Sequence, residues 1–368
     1  MSEQARRIES VQQLLRANDL DALVITPGAN LRYLAGYHGD PDTERITCLV
    51  VTATEAHLLA PVLEEPLARA SLAEAGTDVA VIAWAETEDS IARLVGLLPS
   101  DLRRIAVDER MWAARSLALR ATLPQVEQVN GASIMRELRV RKSAAEVDSL
   151  RRAGAAIDAV HARMADWLRA GRTEREIGAD IADAILQAGH RRVDFVIVAS
   201  GPNGASPHAE VSDRVVNAGD PIVVDIGGTM PDGYCSDSTR TYVLGEPPAE
   251  FARSYEVLLQ AQRAQCDAVR PGITGAELDA IGRDIIADAG YGELFIHRTG
   301  HGIGLDTHED PYIVDGNNAP LEPGMAFSVE PGIYHPGSYG ARIEDIVVCR
   351  DERGQRLNQR PRELAVLA

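Results

Sequence analysis

Two segments of this 368-residue chain repeat each other, and that repeat limits the folds open to it. RAGRTEREIGADIADAILQAGH (169–190) aligns without gaps on RPGITGAELDAIGRDIIADAGY (270–291), with nine identical positions. Each copy carries a Thr-x-x-Glu start signal and a closing glycine, which are typical of a helix. Unrelated helices can also share these capping residues at their two ends. A duplicated half-domain is favoured because both copies precede similar acid-bearing segments.

Each copy is followed by a hairpin-like pair of apolar segments with one acid on each. Asp225 ends VVD and Asp237 lies in CSDSTRTY, whereas Glu330 ends SVE and Glu344 lies in RIED. Two such hairpins, facing each other across a pseudo-two-fold axis, would bring four carboxylates to one point. The sequence therefore predicts an acid-lined pocket shared by two half-domains.

Four neighbouring acids require a cation. Each close pair would repel by roughly 4 kcal/mol at an effective dielectric of about 20. Two divalent ions would neutralise them and would turn water into a nucleophile at neutral pH, and His301 in GHGIG offers an imidazole ligand. Each residue alone also has a plainer explanation, such as an edge charge or the end of a strand. Together the five residues favour a hydrolase.

The first third of the chain alternates helical and strand-like patterns. Helices are predicted near 3–18, 63–75, 88–98 and 112–121, and strands near 22–25, 46–52, 56–60, 78–84 and 104–107. A charged helix follows near 131–141, and a further helix opens at Ser143 with Glu146 as its capping-box partner. We expect a small α/β domain at 1–130 and an α+β catalytic domain at 131–368.

Composition and net charge argue against a nucleic-acid-binding protein and against a membrane-spanning one. The formal net charge of −18 would repel a nucleic-acid backbone, so no nucleic-acid partner is expected. The four cysteines show no close spacing, which suits a reducing cytoplasm. An amphipathic N-terminus and the lack of any long apolar run predict neither a signal peptide nor a membrane span.

The motifs GYCSDSTRTY, HRTGHGIGLDTHE, VEPGIY and RIED, in this order, resemble the pita-bread metallopeptidases. NLRYLAGY (30–37) is similar to the extra N-terminal domain of the Xaa-Pro dipeptidase (prolidase), aminopeptidase P and creatinase branch. The resemblance implies an exopeptidase that cleaves a peptide with proline at its second position. It also implies a homodimer. An oxygen-rich site with one imidazole favours manganese, with cobalt, iron or zinc as alternatives.

The resemblance also implies roles for individual residues. The metal ligands would be Asp225, Asp237, His301, Glu330 and Glu344, with Asp225 chelating one ion and Glu330 shuttling a proton. His208 and His308 would donate hydrogen bonds to the scissile carbonyl or hold the substrate as charge develops. Two alternatives stay open from the sequence: a creatinase-like hydrolase that works without metal, and a pita-bread protein that only binds.

Three further residues are candidates for positions in or near the same pocket. His297 either meets the substrate or caps backbone groups, and His161, on a helix, is expected either to pack within the fold or to lie at the surface. Arg342 is expected to orient Glu344, to meet the substrate, or to be a surface charge.

Overall fold

The computed structural model describes residues 2–40 and 44–368, which form two compact units that divide between Arg139 and Val140. The sequence pattern predicts this boundary near residue 130. The structure assigns the charged helix Ala132–Arg139 to the first unit, because Tyr33 Oη donates to Leu138 O and Arg139 Nη1 donates to Asn30 Oδ1.

The first unit is an α/β domain, as predicted. Its described residues contain one six-stranded sheet in the order β4-β3-β2-β1-β5-β6. Alternating apolar residues such as Val24, Val50 and Leu59 are buried against the helices because strand side chains alternate between the two faces. The helices are α1 Glu3–Ala17, α2 Ala29–Ala35, α3 Glu65–Ala75, α4 Ser90–Val95, α5 Ala113–Thr122 and α6 Ala132–Arg139; the strands are β1 Ala22–Ile25, β2 Cys48–Thr52, β3 Ala56–Pro61, β4 Ala80–Trp84, β5 Arg104–Val107 and β6 Glu127–Asn130.

The second unit contains the sequence repeat, and its two copies fold alike. Thr173 and Thr274 are N-caps, and each forms a complete capping box with the glutamate three residues later. Gly171 N–H donates to Val216 O just as Gly272 N–H donates to Leu321 O, both at 2.9 Å. The helices of this unit are α7 Ala144–His161, which opens at the predicted capping box, α8 Met164–Trp167, α9 Glu174–Gln187, α10 Ala249–Ala268 and α11 Gly275–Asp288.

The strands of this unit form three sheets. The sheet of the first half contains β7, β8 and β9 and is extended by the C-terminal strand β17, in the order β17-β9-β8-β7. The second half gives β11-β10-β12-β15-β16 together with the pair β13-β14. An apolar core that includes Ile181, Val224 and Tyr242 lies under the first sheet. The strands are β7 Arg192–Ser200, β8 Pro221–Thr229, β9 Cys235–Leu244, β10 Gly300–Gly302, β11 Glu309–Ile313, β12 Ala326–Val329, β13 Gly332–His335, β14 Tyr339–Arg342, β15 Asp345–Cys349, β16 Gly354–Arg356 and β17 Ala365–Leu367.

The hairpin of the second half is interrupted at both of its acids. β12 pairs with β15 and β13 pairs with β14, so Glu330 and Glu344 lie between strands. Pro331 has no N–H to continue the ladder. The freed N–H groups of the two glutamates donate instead to Thr299 O at 2.8 Å and to Thr239 O at 3.1 Å. The second of these bonds joins the two halves of the unit.

Within residues 2–40 and 44–368, no helix combines the length and the apolar composition that crossing a membrane requires. All four cysteines, Cys48, Cys235, Cys266 and Cys349, are buried and none forms a disulfide.

Candidate metal centre

The hairpin of β8 and β9 places two of the predicted acids on one face. Asp225 pairs with Thr239 and Gly227 pairs with Asp237, so Asp225 and Asp237 are diagonal neighbours on that face. Both carboxyl groups are buried. The Cβ of any residue replacing Gly227 would lie 2.5 Å from the Phe195 ring and 2.6 Å from Ser236 O, so only glycine lets these groups pack so closely beside Asp237.

The second half supplies the two glutamates from the break in its hairpin. Glu344 Oε2 accepts a hydrogen bond from Thr239 Oγ1 at 2.8 Å, and Glu330 Oε1 accepts one from Ser328 Oγ at 2.9 Å. Carboxylate oxygens of Asp225, Asp237 and Glu344 all lie within 4.8 Å of one another. The structure thus brings the predicted acids together.

His301 completes this group from the short strand β10. Its Nδ1 lies 3.1 Å from Gly302 O, and an N–H there leaves the Nε2 lone pair free for a cation. Nε2 lies 3.2 Å from Glu330 Oε1 and 3.6 Å from Asp237 Oδ2. The main-chain N–H of His301 donates to Ser328 Oγ at 3.0 Å, so one serine holds both His301 and Glu330.

Electrostatics at the centre oppose full ionisation of the acids. Burial, followed by the charges of Glu344, Asp225 and Glu330, raises the pKa of Asp237 well above its ordinary value. Burial and the neighbouring acids likewise raise the pKa of Glu344 well above the usual range. Burial also raises the pKa of Asp225, against the opposing charge of Arg342. These groups can all be anionic together only if positive charge is added.

The pKa of Glu330 shifts in the opposite direction. Burial alone would raise its pKa, but the hydrogen bond and charge of His301, with the charges of Arg342 and His297, lower it to about 2. Glu330 is therefore anionic at neutral pH in the protein without metal. Its side chain is also one of those that line the adjoining cavity.

The donor set fits divalent metal ions. Asp225 Oδ1 and Glu344 Oε1 are buried and have no hydrogen-bond partner in the described structure, which is costly for a carboxylate unless a cation binds there. Carboxylate oxygens with one imidazole suit hard to borderline divalent ions. The same five side chains would hold the two ions that the sequence predicts.

Arg342 is a buried residue of the centre and not a surface charge. Its Nη2 lies 2.5 Å from Asp225 Oδ2 and its Nη1 lies 2.8 Å from Tyr334 Oη. Its Nε lies 3.9 Å from Glu330 Oε2. The sequence pattern pairs Arg342 with Glu344, two residues away, but the end of β14 at Arg342 breaks the alternation on which that expectation rests.

His208, His297 and His308 line the cavity of about 680 Å³ that opens beside the acids. His208 and His308 are exposed, and the His308 ring lies 3.8 Å from the His301 ring between centroids. Although part of its surface is exposed, the partial desolvation of His308 in the cavity, with the charges of His301 and Arg298, lowers its pKa to about 4, so at neutral pH it is an uncharged N–H donor. His161 packs in the core against Tyr242, the first of the two positions that the sequence left open.

His297 is held from both sides, because Nε2 lies 2.9 Å from Tyr334 Oη and Nδ1 lies 2.7 Å from Arg298 O. These contacts fit the capping role that the sequence left open, although its ring also faces the cavity.

A buried carboxylate holds the loop that carries His208. Glu174, fully buried at the start of α9, accepts hydrogen bonds from Ser200 N and Ser200 Oγ at 2.7 Å, from Asn203 Nδ2 at 2.9 Å and from Ser212 Oγ at 2.5 Å. Ser200 and Ser212 lie on either side of His208 in the chain. Glu174 therefore fixes both ends of this loop.

Sequence reasoning missed the residues that support the candidate ligands. Thr239 lies two residues after Asp237 and Ser328 lies two residues before Glu330, so the period-two pattern of a strand could have indicated both. Tyr334 and Glu174 carried no comparable signal, because their partners lie eight or more residues away in the sequence, beyond the spacing of a single strand or helix turn.

Known proteins resemble this chain along almost its whole length. It matches the Creatinase/Prolidase N-terminal domain over residues 7–141 and Metallopeptidase family M24 over residues 148–351. Probable dipeptidase PepE of Mycobacterium tuberculosis (strain ATCC 25618 / H37Rv) is 48% identical over 365 residues, covering 99% of this chain and 96% of that protein. The Xaa-Pro dipeptidase of Lactobacillus delbrueckii subsp. lactis is 36% identical over 367 residues, covering 98% of each chain. The crystal structure of dipeptidase PepE from Mycobacterium ulcerans has a TM-score of 0.93 and 49% identity, covering 99% of this chain and 98% of that one.

The fold and the acid-rich centre are those of a two-domain metallopeptidase. The chain belongs to metallopeptidase family M24. The predicted α+β pita-bread fold, with its smaller N-terminal α/β domain, is confirmed, and so is the resemblance to the prolidase branch. Membership of this family implies divalent metal ions.

Proposed function

We propose that this metallopeptidase is an Xaa-Pro dipeptidase, which hydrolyses the bond between an N-terminal residue and a C-terminal proline. The observation that carries the proposal is the meeting of four carboxylates and one imidazole, from both halves of the repeat, beside one cavity. The names of the relatives support the substrate class, since one is an Xaa-Pro dipeptidase and another a probable dipeptidase.

We propose Asp225, Asp237, His301, Glu330 and Glu344 as the ligands of two divalent ions, and manganese as their identity. Such ions, when bound, lower the pKa of water and polarise the scissile carbonyl. Asp225 would be held for this task by Arg342, and Glu344 by Thr239. His301 would present Nε2 because its Nδ1 faces Gly302 O.

The remaining residues would act on the substrate directly. Glu330, which lies at the cavity, would carry the proton toward the departing proline nitrogen. His208 and His308 would donate hydrogen bonds to the carbonyl oxygen as charge develops on it. The free α-amine would lie near the acids, which explains cleavage from the N-terminus. We also propose a cytoplasmic homodimer, and the four buried thiols without a disulfide support the compartment.

The test compares substrates and metals in one preparation. The purified protein, loaded with manganese, is assayed on Xaa-Pro dipeptides, on longer Xaa-Pro peptides and on creatine as a guanidino substrate. Metal analysis should give about two ions per chain, and cleavage should be fastest on dipeptides. Faster cleavage of longer peptides would indicate an aminopeptidase. Activity on creatine without metal would overturn the proposal.

A further inference from the structure

A further acid, Asp194, lines the cavity outside the metal centre. It lies on β7, where the pairing with β8 is irregular between Val193 and Phe195. Such a bulge redirects side chains from the regular alternation of a strand. Consequently two consecutive residues, Asp194 and Phe195, both line the cavity.

Asp194 is held in place but keeps capacity to accept more hydrogen bonds. Its Oδ2 accepts from Thr229 Oγ1 at 2.7 Å and its Oδ1 accepts from Arg192 Nε at 2.7 Å. A carboxylate offers about four acceptor sites, so room for another donor remains. The side chain of Asp194 is 11% exposed whereas that of Arg192 is 68% exposed, so solvent screens much of the arginine charge.

The position of Asp194 beside the hairpin of β8 and β9 determines how far it lies from the metal centre. Thr229, which anchors Asp194, pairs with Cys235, two residues beyond the Gly227–Asp237 pair on the same face. Same-face rows on a strand are about 7 Å apart. Asp194 therefore stands about one row outward from the metal centre. The Phe195 ring, packed against Gly227, belongs to the same wall.

The wall formed by Phe195 and Asp194 is complementary to a long basic side chain. The aliphatic stem of a lysine or arginine packs on apolar surface while its charged end seeks an anion. Phe195 would receive the stem and Asp194 the charged end. The two arginines of the cavity are engaged elsewhere: Arg342 pairs with Asp225, and the Arg298 guanidinium lies over the Tyr312 ring at 4.6 Å from its centroid.

We propose that Asp194 selects substrates in which the residue before proline carries a cationic side chain, such as Lys-Pro and Arg-Pro. This proposal rests on the proposed function and names the substrate class of the same site. Asp194 is a specificity residue, since it would bind the substrate side chain and take no part in bond cleavage.

Each of three matched dipeptides is assayed with the wild type and with each variant of the metal-loaded protein. Lys-Pro is compared with norleucyl-proline, which has a similar stem but no charge, and with Glu-Pro. Asp194→Asn removes the charge at nearly constant shape, and Asp194→Glu keeps it. Asp213→Asn is the control, because Asp213 also accepts from an arginine Nε, at 2.8 Å, but lies exposed outside the cavity. Metal content and melting temperature are measured for every variant.

The wild-type protein should prefer Lys-Pro to norleucyl-proline in kcat/KM, and Asp194→Asn should reduce that ratio roughly tenfold, as expected for one charge-assisted hydrogen bond. Glu-Pro should improve in Asp194→Asn, whereas Asp213→Asn should leave every ratio unchanged. An equal loss on all substrates would assign Asp194 to the α-amine or to the fold and overturn the proposal. Cleavage of Xaa-Pro dipeptides with no ratio dependent on Asp194 would refute this inference alone. No cleavage of any Xaa-Pro dipeptide would refute the proposed function as well.

Discussion

Replacing Asp237 by asparagine should stabilise the metal-free protein at pH 8 and remove much of its stabilisation by metal. Carboxylate oxygens of Asp237, Asp225 and Glu344 lie within 4.8 Å of one another. Two unit charges at that distance repel by about 3.5 kcal/mol at an effective dielectric of 20. Removing one acid removes its repulsion with both others, and it also removes a proposed ligand.

The direction of the pH dependence is set by the raised pKa of Asp237, which burial and then the neighbouring acids cause. The folded protein holds this proton at a pH where the unfolded chain has lost it. Stability is therefore unaffected well below the ordinary value of 3.8 and falls as the pH rises from there through the folded-state pKa. Asparagine abolishes this loss.

In the metal-free wild-type protein at pH 8, protonation already relieves part of the repulsion between the acids. Only the remaining part sets the gain in stability of Asp237→Asn. We expect a gain of about 1–3 kcal/mol at pH 8, less than one full pair interaction. For a unit of this size, 1 kcal/mol corresponds to roughly 2–4 °C in melting temperature. The metal-free variant should thus melt several degrees above the wild-type protein at pH 8, and at about the same temperature as the wild type near pH 4.

Calorimetry after treatment with a chelator, at a series of pH values, measures this difference, and a second series with excess manganese measures the metal term. Asp225→Asn is the matched control. It also removes one acid of the cluster, but it takes the carboxylate partner from Arg342, so its gain in stability at pH 8 should be smaller than that of Asp237→Asn. A metal-free Asp237→Asn protein that melts below the wild type at pH 8 would refute the electrostatic reasoning.

Three further predictions concern the remaining residues of the site. Glu344→Ala should abolish activity and lower metal content while leaving the fold largely intact, and normal turnover would remove Glu344 from the ligands. His208→Ala and His308→Ala should keep both metals but lose rate; because His308 could join Asp237 and His301 around one ion, loss of metal in His308→Ala would make it a ligand. Glu174→Gln should cost about 1–3 kcal/mol, since one acceptor of the network becomes a donor, and should lower kcat at constant metal content, a pattern that an unchanged kcat would contradict.

Local signals made much of this fold predictable. The capping boxes at Ser143, Thr173 and Thr274 form as the sequence indicates, because each is complete within four residues. Helix Ala29–Ala35 and strand Glu127–Asn130 are not predicted by the sequence pattern. Both are too short to show a clear period, and the strand forms by pairing with β5, more than twenty residues earlier.

The sequence was sufficient to predict the acids and the histidine of the candidate site. It was not sufficient to predict the contacts of the residues around them. Motif order identified those residues, but the partners of Arg342 depend on where β14 ends. The placement of Asp194 depends on a bulge, which shifts the register by one residue and has no clear mark in the sequence. Such features are decided by tertiary packing.

A centre whose acids repel one another must be held by contacts outside it, and a buried ion pair next to the candidate ligands meets that need. Arg240 Nη2 donates to Asp345 Oδ1 at 2.7 Å, and Arg240 Nη1 donates to Glu344 O at 2.5 Å and to Thr239 O at 2.8 Å. Arg240 follows Thr239 and Asp345 follows Glu344, so the pair joins the two hairpins at the ligand positions. Breaking a buried pair leaves an uncompensated charge and typically costs about 3–5 kcal/mol. The pair therefore makes separation of the two hairpins at the candidate ligands costly, whether or not metal is bound.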